Sequence, residues 1–312
     1  MGSVFLVEDT ELGREAALKV LTLPDAAGGL TARLVSEARL LARLEHPNIV
    51  PVHDLGRLAD GSVFYVMKYV RGERLDGWRG KGPTRPETLR LFQKICEAVA
   101  FAHARGVIHR DLKPENVMVG AFGEALVMDW GVAKLLAAPL EGQVTLAVEE
   151  APRAAGGTAH GTILGTPAYM APEQARGEID RIGPQTDVYA LGAILHFLLT
   201  GRPPIASRDR EEALRSAREG TVPRLREIDP GIPRDLEAIC ARAMARDPEG
   251  RYESVGHLAG DVDRLLDGVP VAARPVGILE KGARFLGRNR VLASLIVAYL
   301  LMRIVVLFFT QR

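Results

Sequence analysis

An α+β chain in two parts, a small strand-rich lobe followed by a larger helical one, is what three observations predict. Short runs of alternating small and apolar residues fill the first part, up to about residue 70. From about residue 85 the apolar positions recur at helical spacing instead. With 312 residues, 47% hydrophobic and 25% charged, the chain can also bury a sizeable core in each part. In order, strands are expected over about 3–8, 15–21, 51–57 and 63–68, with one helix near 31–44 whose apolar positions 34, 38, 41 and 44 share a face. Further helices are expected over 86–104, 187–199, 208–219, 233–245 and 254–266. Pro233 suits the first turn of one of them, and Gly201 the end of another. The two parts should meet at about 68–73, leaving a cleft there.

Charge narrows the function. Forty Lys and Arg against 39 Asp and Glu give a net charge of +1, which argues against a general nucleic-acid binder. Cys96 and Cys240 each fall in an apolar helical pattern and form no C-x-x-C, so they read as buried thiols rather than a disulfide or a metal site. The seven histidines show no ligand pairing, and His103 reads as a packed helix residue.

The densest chemistry lies in His109-Arg110-Asp111-Leu112-Lys113-Pro114-Glu115-Asn116, followed by Asp129-Trp130-Gly131. Asp111 can accept the proton of an attacking hydroxyl, and Lys113 can neutralise charge on a moving phosphoryl group. Asn116 and Asp129 are hard oxygen ligands suited to Mg²⁺. A base, a phosphate-facing cation and two metal ligands in this order answer the needs of phosphoryl transfer, which asks for positioning and charge stabilisation more than covalent chemistry.

On these residues the chain resembles the eukaryotic-like serine/threonine protein kinases of bacteria, and the resemblance implies a bilobal protein kinase fold that uses ATP and Mg²⁺ on protein Ser/Thr hydroxyls. Lys19, in Ala16-Ala17-Leu18-Lys19-Val20-Leu21, resembles the family's lysine that holds the α- and β-phosphates, and Glu37 its helix partner. His46-Pro47-Asn48-Ile49-Val50 follows at the family's place. By the same resemblance Met67 is the gatekeeper, while the Lys68 carbonyl and Val70 amide face the adenine. Val4, Ala17 and Met118 sandwich the purine. Leu41, Val52, His109 and Trp130 form an apolar column, with Trp130 where the family usually has Phe. Gly165-Thr166-Pro167-Ala168-Tyr169-Met170-Ala171-Pro172-Glu173 resembles the end of an activation segment, where Thr166 bridges Asp111 and Lys113. Asp187 resembles the buried anchor of the catalytic loop, and Arg251 the partner of Glu173. Thr158 and Thr162 stand where related kinases autophosphorylate, with Arg110 the natural grip for such a phosphate. Autophosphorylation in trans implies a homodimer.

The sequence departs from the family at its start. The phosphate-covering loop reads G-x-G-x-x-G-x-V, and Met1-Gly2-Ser3-Val4 matches only its last glycine and valine. Two readings stay open: Met1 is an internal methionine of a longer natural chain, or the product covers ATP poorly and is a weak kinase or a pseudokinase scaffold that binds partners.

At the other end, residues 291–309 form an apolar run about long enough to cross a bilayer. Its 13 Val, Leu, Ile and Phe residues favour insertion by roughly 4–8 kcal/mol, against about 2.5–3.5 kcal/mol for Arg303. Lys281, Arg284, Arg288 and Arg290 precede it as a cytoplasmic flank should. The expected organisation is therefore a small lobe over 1–70, a large lobe over 71–268, a basic linker over 269–290 and a single membrane span over 291–309, with the kinase domain cytoplasmic.

Overall fold

The computed structural model describes residues 2–21, 29–130, 134–135, 167–207 and 209–274, together with residues 294, 298, 299, 302, 303 and 306. Strands β1 (Gly2–Asp9) and β2 (Arg14–Leu21) precede helix α1 (Gly29–Leu41), and β3 (Val52–Arg57) and β4 (Val63–Lys68) follow it. The four strands form one antiparallel sheet in the order β1-β2-β4-β3. Helix α1 ends at Leu41, earlier than expected. Leu44 lies beyond it in the connecting turn, yet is still buried in the core.

After the crossover come β5 (Gly72–Arg74), α2 (Leu75–Gly80) and the long α3 (Arg85–Ala104). Thr84 caps α3 in a reciprocal box with Glu87, which satisfies two of the otherwise orphaned N–H groups. Short strands β6 (Val107–Ile108), β7 (Val117–Gly120), β8 (Ala125–Val127) and β9 (Lys134–Leu135) surround the segment 109–116. They make a three-stranded sheet β5-β7-β8 and a two-stranded pair β6-β9. The remaining helices are α4 (Pro172–Arg176), α5 (Pro184–Thr200), α6 (Arg210–Glu219), α7 (Leu225–Ile228), α8 (Arg234–Ala243) and α9 (Val255–Leu266).

Helix α5 is the hub of this lobe, buried from Thr186 through Leu198 and packed on α3, α8 and α9. A helix apolar all round belongs in a core. Gly201 ends it in the left-handed conformation at φ 72°, where glycine carries no Cβ penalty. Pro233 sits at the cap position just ahead of α8 rather than in its first turn. Cys96 and Cys240 are free, buried thiols. Burial pushes the Cys240 thiol up to about 12, so it stays protonated and inert.

Among the described residues no helix is long and apolar enough to cross a membrane. The expected span over 291–309 lies outside the described residues, apart from the helical Ser294, Ala298, Tyr299, Met302, Arg303 and Val306.

Candidate active site

The sheet register gathers the residues expected on the nucleotide side onto one face. Directly opposed residues of antiparallel strands share a face, and so do residues two apart along a strand. Val4 opposes Lys19, which opposes Tyr65, while Ala17 opposes Met67, which opposes Val52. Lys68 and Val70 follow at the end of β4, where the chain leaves the small lobe. Met118, on β7, comes from the large lobe. Gly2 pairs with Leu21 at the start of β1.

On that face the Lys19 Nζ donates to Glu37 Oε1 at 2.8 Å and to Asp129 Oδ1 at 2.8 Å. The Tyr65 hydroxyl donates to the same Glu37 oxygen at 2.9 Å. Burial of Lys19 alone pulls its pKa down, but Glu37, Tyr65 and Asp129 outweigh it, so the ammonium is held charged well above the ordinary lysine range. Burial, then Glu37, keeps the Tyr65 phenol protonated. The sequence reading does not single out Tyr65; its place two residues before Met67 on the same strand face is the available signal.

Across the cleft, Lys113 Nζ donates to Asp111 Oδ2 at 2.8 Å. The Asn116 amide nitrogen donates to the Asp111 carbonyl at 2.8 Å and lies 3.4 Å from its Oδ2. That commits the nitrogen inward and leaves the amide oxygen as the group Asn116 offers a cation. Asp129 keeps 55% of its side chain exposed at the opening. Among the described residues no three His, Cys, Asp or Glu side chains converge as a metal cage. Two oxygen ligands beside open space fit Mg²⁺, which is ordinarily held by one or two protein ligands together with substrate phosphates.

Two non-glycine residues here have positive φ: Arg110 at 71° and Asp129 at 59°. Each such conformation costs about 1–2 kcal/mol. The strain on Arg110 is held by Asp187 from α5, whose fully buried carboxylate accepts from the backbone N–H of His109 at 2.7 Å and of Arg110 at 2.8 Å. The His103 Nε2 donates to the same carboxylate at 2.8 Å, so His103 is a partner of the anchor and more than a packed helix residue. Burial opposes the Asp187 charge, but His103 and the loop outweigh it and hold its pKa below the usual carboxylate value. His109 donates from Nε2 to the Met128 carbonyl at 2.9 Å and accepts the Asp111 N–H on Nδ1 at 3.3 Å, which assigns it as a neutral imidazole.

The His109 ring packs 4.6 Å from Trp130, centre to centre. Trp130 and Leu41 are buried and Val52 is partly buried against the same core. Among the described residues the Trp130 indole N–H finds no acceptor, a cost the family's phenylalanine avoids. Gln174, on α4, donates to the Arg110 carbonyl at 2.7 Å, a contact the sequence did not announce. Glu173 and Arg251 form a bidentate pair at 2.8 and 2.7 Å, with Thr186 donating to Glu173 at 2.9 Å. The guanidinium also donates to the carbonyls of Gln185, Ala245 and Arg246. Thr158, Thr162 and Thr166 lie outside the described residues.

Residues 1–258 match the family model described as the protein kinase domain. The chain is 35% identical over 290 residues to the serine/threonine-protein kinase PknD of Protochlamydia amoebophila, covering 86% of this chain and 29% of that protein. It is 35% identical over 283 residues to PknB of Mycobacterium leprae, covering 88% and 43%, and 33% identical over 270 residues to PrkC of Bacillus subtilis, covering 86% and 39%. The chain thus spans less than half the length of these relatives. A domain model matched over most of the sequence makes the chain a member of the protein kinase family.

Proposed function

We propose that the chain transfers the γ-phosphoryl group of ATP to serine and threonine hydroxyls of proteins. The observation that carries this is the convergence of Lys19 and Glu37 from the small lobe with Asp111, Lys113, Asn116 and Asp129 from the large one, joined by the Lys19–Asp129 bond. Asp111 orients the acceptor hydroxyl and takes its proton as the oxygen bonds to phosphorus and ADP departs. Lys113 holds the Asp111 carboxylate in place and faces the transferred group. Lys19, fixed by Glu37, binds the α- and β-phosphates. Asn116 and Asp129 would hold the Mg²⁺, which would supply charge neutralisation for the transferred group. Met67, Lys68, Val70, Val4, Ala17 and Met118 line the adenine side, the hinge contributing backbone groups only.

In this reading Arg110 receives a phosphate on Thr158 or Thr162. Its Nε is buried without a hydrogen-bond partner among the described residues, which supports that role. The apolar run 291–309 serves as a membrane anchor behind a basic linker, leaving the catalytic domain on the cytoplasmic side.

The test is label transfer from γ-labelled Mg-ATP by the full chain, with and without a generic basic protein substrate, beside Lys19→Ala and Asp111→Asn. Label in the wild type that vanishes in both variants is expected. A cooperatively folded wild type that transfers nothing overturns the catalytic reading in favour of a scaffold.

A further inference from the structure

A second recess, lined by none of the catalytic residues, opens between α2, α3 and the β7–β8 turn, with a volume of about 410 Å³. Leu91, only 4% exposed, forms its floor, and Trp78 and Pro83 line its walls. Trp78 is partly buried against the main core. Lys81, Arg90 and Lys94 line the opening; Lys81 is paired with Glu73 at 2.6 Å, which leaves Arg90 and Lys94 as the cations set against the one lining acid, Glu87. That acid is already committed, since its carboxylate accepts from the Thr84 backbone N–H at 2.8 Å and from its hydroxyl at 2.6 Å. Lys94 is positioned rather than paired, because its side chain donates to the Gly123 carbonyl at 2.6 Å, which is no counter-charge. Next to Gly123 in the turn stands Phe122, a large aromatic ring 95% exposed among the described residues.

An apolar floor under a net-positive rim selects its ligand. A neutral apolar molecule leaves the cations unused, and a simple anion leaves Trp78, Leu91 and Phe122 unused. The volume lies in the range of sites that hold small ligands or a few side chains. A bilayer surface is flat and meets the rim without reaching a recessed floor.

We propose that this recess is a docking site for an acidic peptide segment carrying an apolar anchor residue. The anchor side chain enters between Trp78 and Leu91, and its flanking carboxylates pair with Arg90 and Lys94. Docking here leaves the catalytic cleft free. A partner protein held by such a segment presents its hydroxyl groups to Asp111 at a raised effective concentration.

The test needs no catalysis. Fluorescein-labelled peptides with a single Leu, Ile, Phe or Met among four Glu residues are titrated with the full chain and followed by anisotropy. The expected result is saturable binding by at least one of them, with Arg90→Glu and Arg90→Glu/Lys94→Glu weakening it about tenfold or more. Trp78→Ala weakens it similarly, and raised salt weakens it further, as exposed charges require. A melt confirms that each variant is folded, and Arg90→Glu alone, a surface change, keeps the test valid if Trp78→Ala does not fold. No saturable binding to any of the four peptides, or equal binding by wild type and the charge-reversed variants, overturns the proposal. So does preferential loss of binding to phosphatidylglycerol vesicles in the same variants without loss of peptide binding, which would give the surface to the membrane.

Discussion

Replacing Asp187 by Asn keeps the shape of the side chain while removing its charge and one of its two acceptor oxygens. In the wild type the two carboxylate oxygens accept the backbone N–H groups of His109 and Arg110 at 2.7 and 2.8 Å, and His103 adds a third bond at 2.8 Å. Hydrogen bonds to a charged group contribute about 1.5–3 kcal/mol each. The two backbone bonds therefore outweigh the roughly 1–2 kcal/mol of strain at Arg110. In Asp187→Asn the amide NH₂ must face one of those N–H groups, donor against donor, leaving a buried donor unsatisfied at about 1–3 kcal/mol on top of the weakened bond. A loss of about 2–4 kcal/mol of folding stability is expected, read by denaturant melts of the full chain. The loop carrying Asp111 should also shift, and misplacement on the order of 1 Å costs about 10²-fold in kcat. The KM for ATP should change little, because Lys19 and Glu37 are held separately. Acid gives an independent check. The Asp187 pKa is lowered on folding, so its stabilisation is present above the unfolded carboxylate value and is lost as pH falls through the folded one. The gap between wild type and Asp187→Asn should therefore close below about pH 4. A variant that melts with the wild type, or one that is destabilised with kcat unchanged, refutes the argument.

Arg251→Met should cost about 3–5 kcal/mol in a chemical melt, since it strands the fully buried Glu173 carboxylate with Thr186 as its one remaining side-chain partner among the described residues. Adding Glu173→Gln should recover part of that loss, and additive single losses would show that the pair is not coupled. Gly192→Ala, inside α5, places a methyl group 2.7 Å from Met244 Cγ and 2.8 Å from Ala243 Cβ. Overpacking of about 1–3 kcal/mol should exceed the roughly 1 kcal/mol gained in helix propensity, so thermal unfolding should move to lower temperature.

The four small-lobe strands and the main helices were legible because each carries its periodicity within a few consecutive residues. The catalytic motif was legible for the same reason, as Asp111, Lys113 and Asn116 are near neighbours in the chain. The strands β5 to β9 are two to four residues long and too short to show any period. Helix α4, of five residues, is equally mute. Contacts that join distant segments also left no local trace. His103 reaches Asp187 across 84 positions, and Gln174 reaches the Arg110 carbonyl across 64. Both are polar residues on helices whose partners only the fold supplies.

Those distant contacts explain why the two halves of the site arrive in register. Beyond α1, the Val127 N–H donates to the Asn48 carbonyl at 2.8 Å, Val50 donates back to the Val127 carbonyl at 3.2 Å, and the Asn48 side chain donates to the Ala125 carbonyl at 2.9 Å. The segment that follows the Glu37 helix is thereby stitched to β8 of the other lobe. Directly after β8, Met128 donates its N–H to the Asn116 carbonyl and accepts from His109, and the next residue is Asp129. From there Asp129 accepts the bond from Lys19, which returns to Glu37. The circuit is closed, and most of its links are backbone groups that must be paired wherever they are buried. Neither Asn116 nor the backbone that carries Asp129 can move far without unpairing a buried peptide group. The charged side chains in the cleft are held by an obligation of the main chain, and their own attraction for one another adds to an arrangement already fixed.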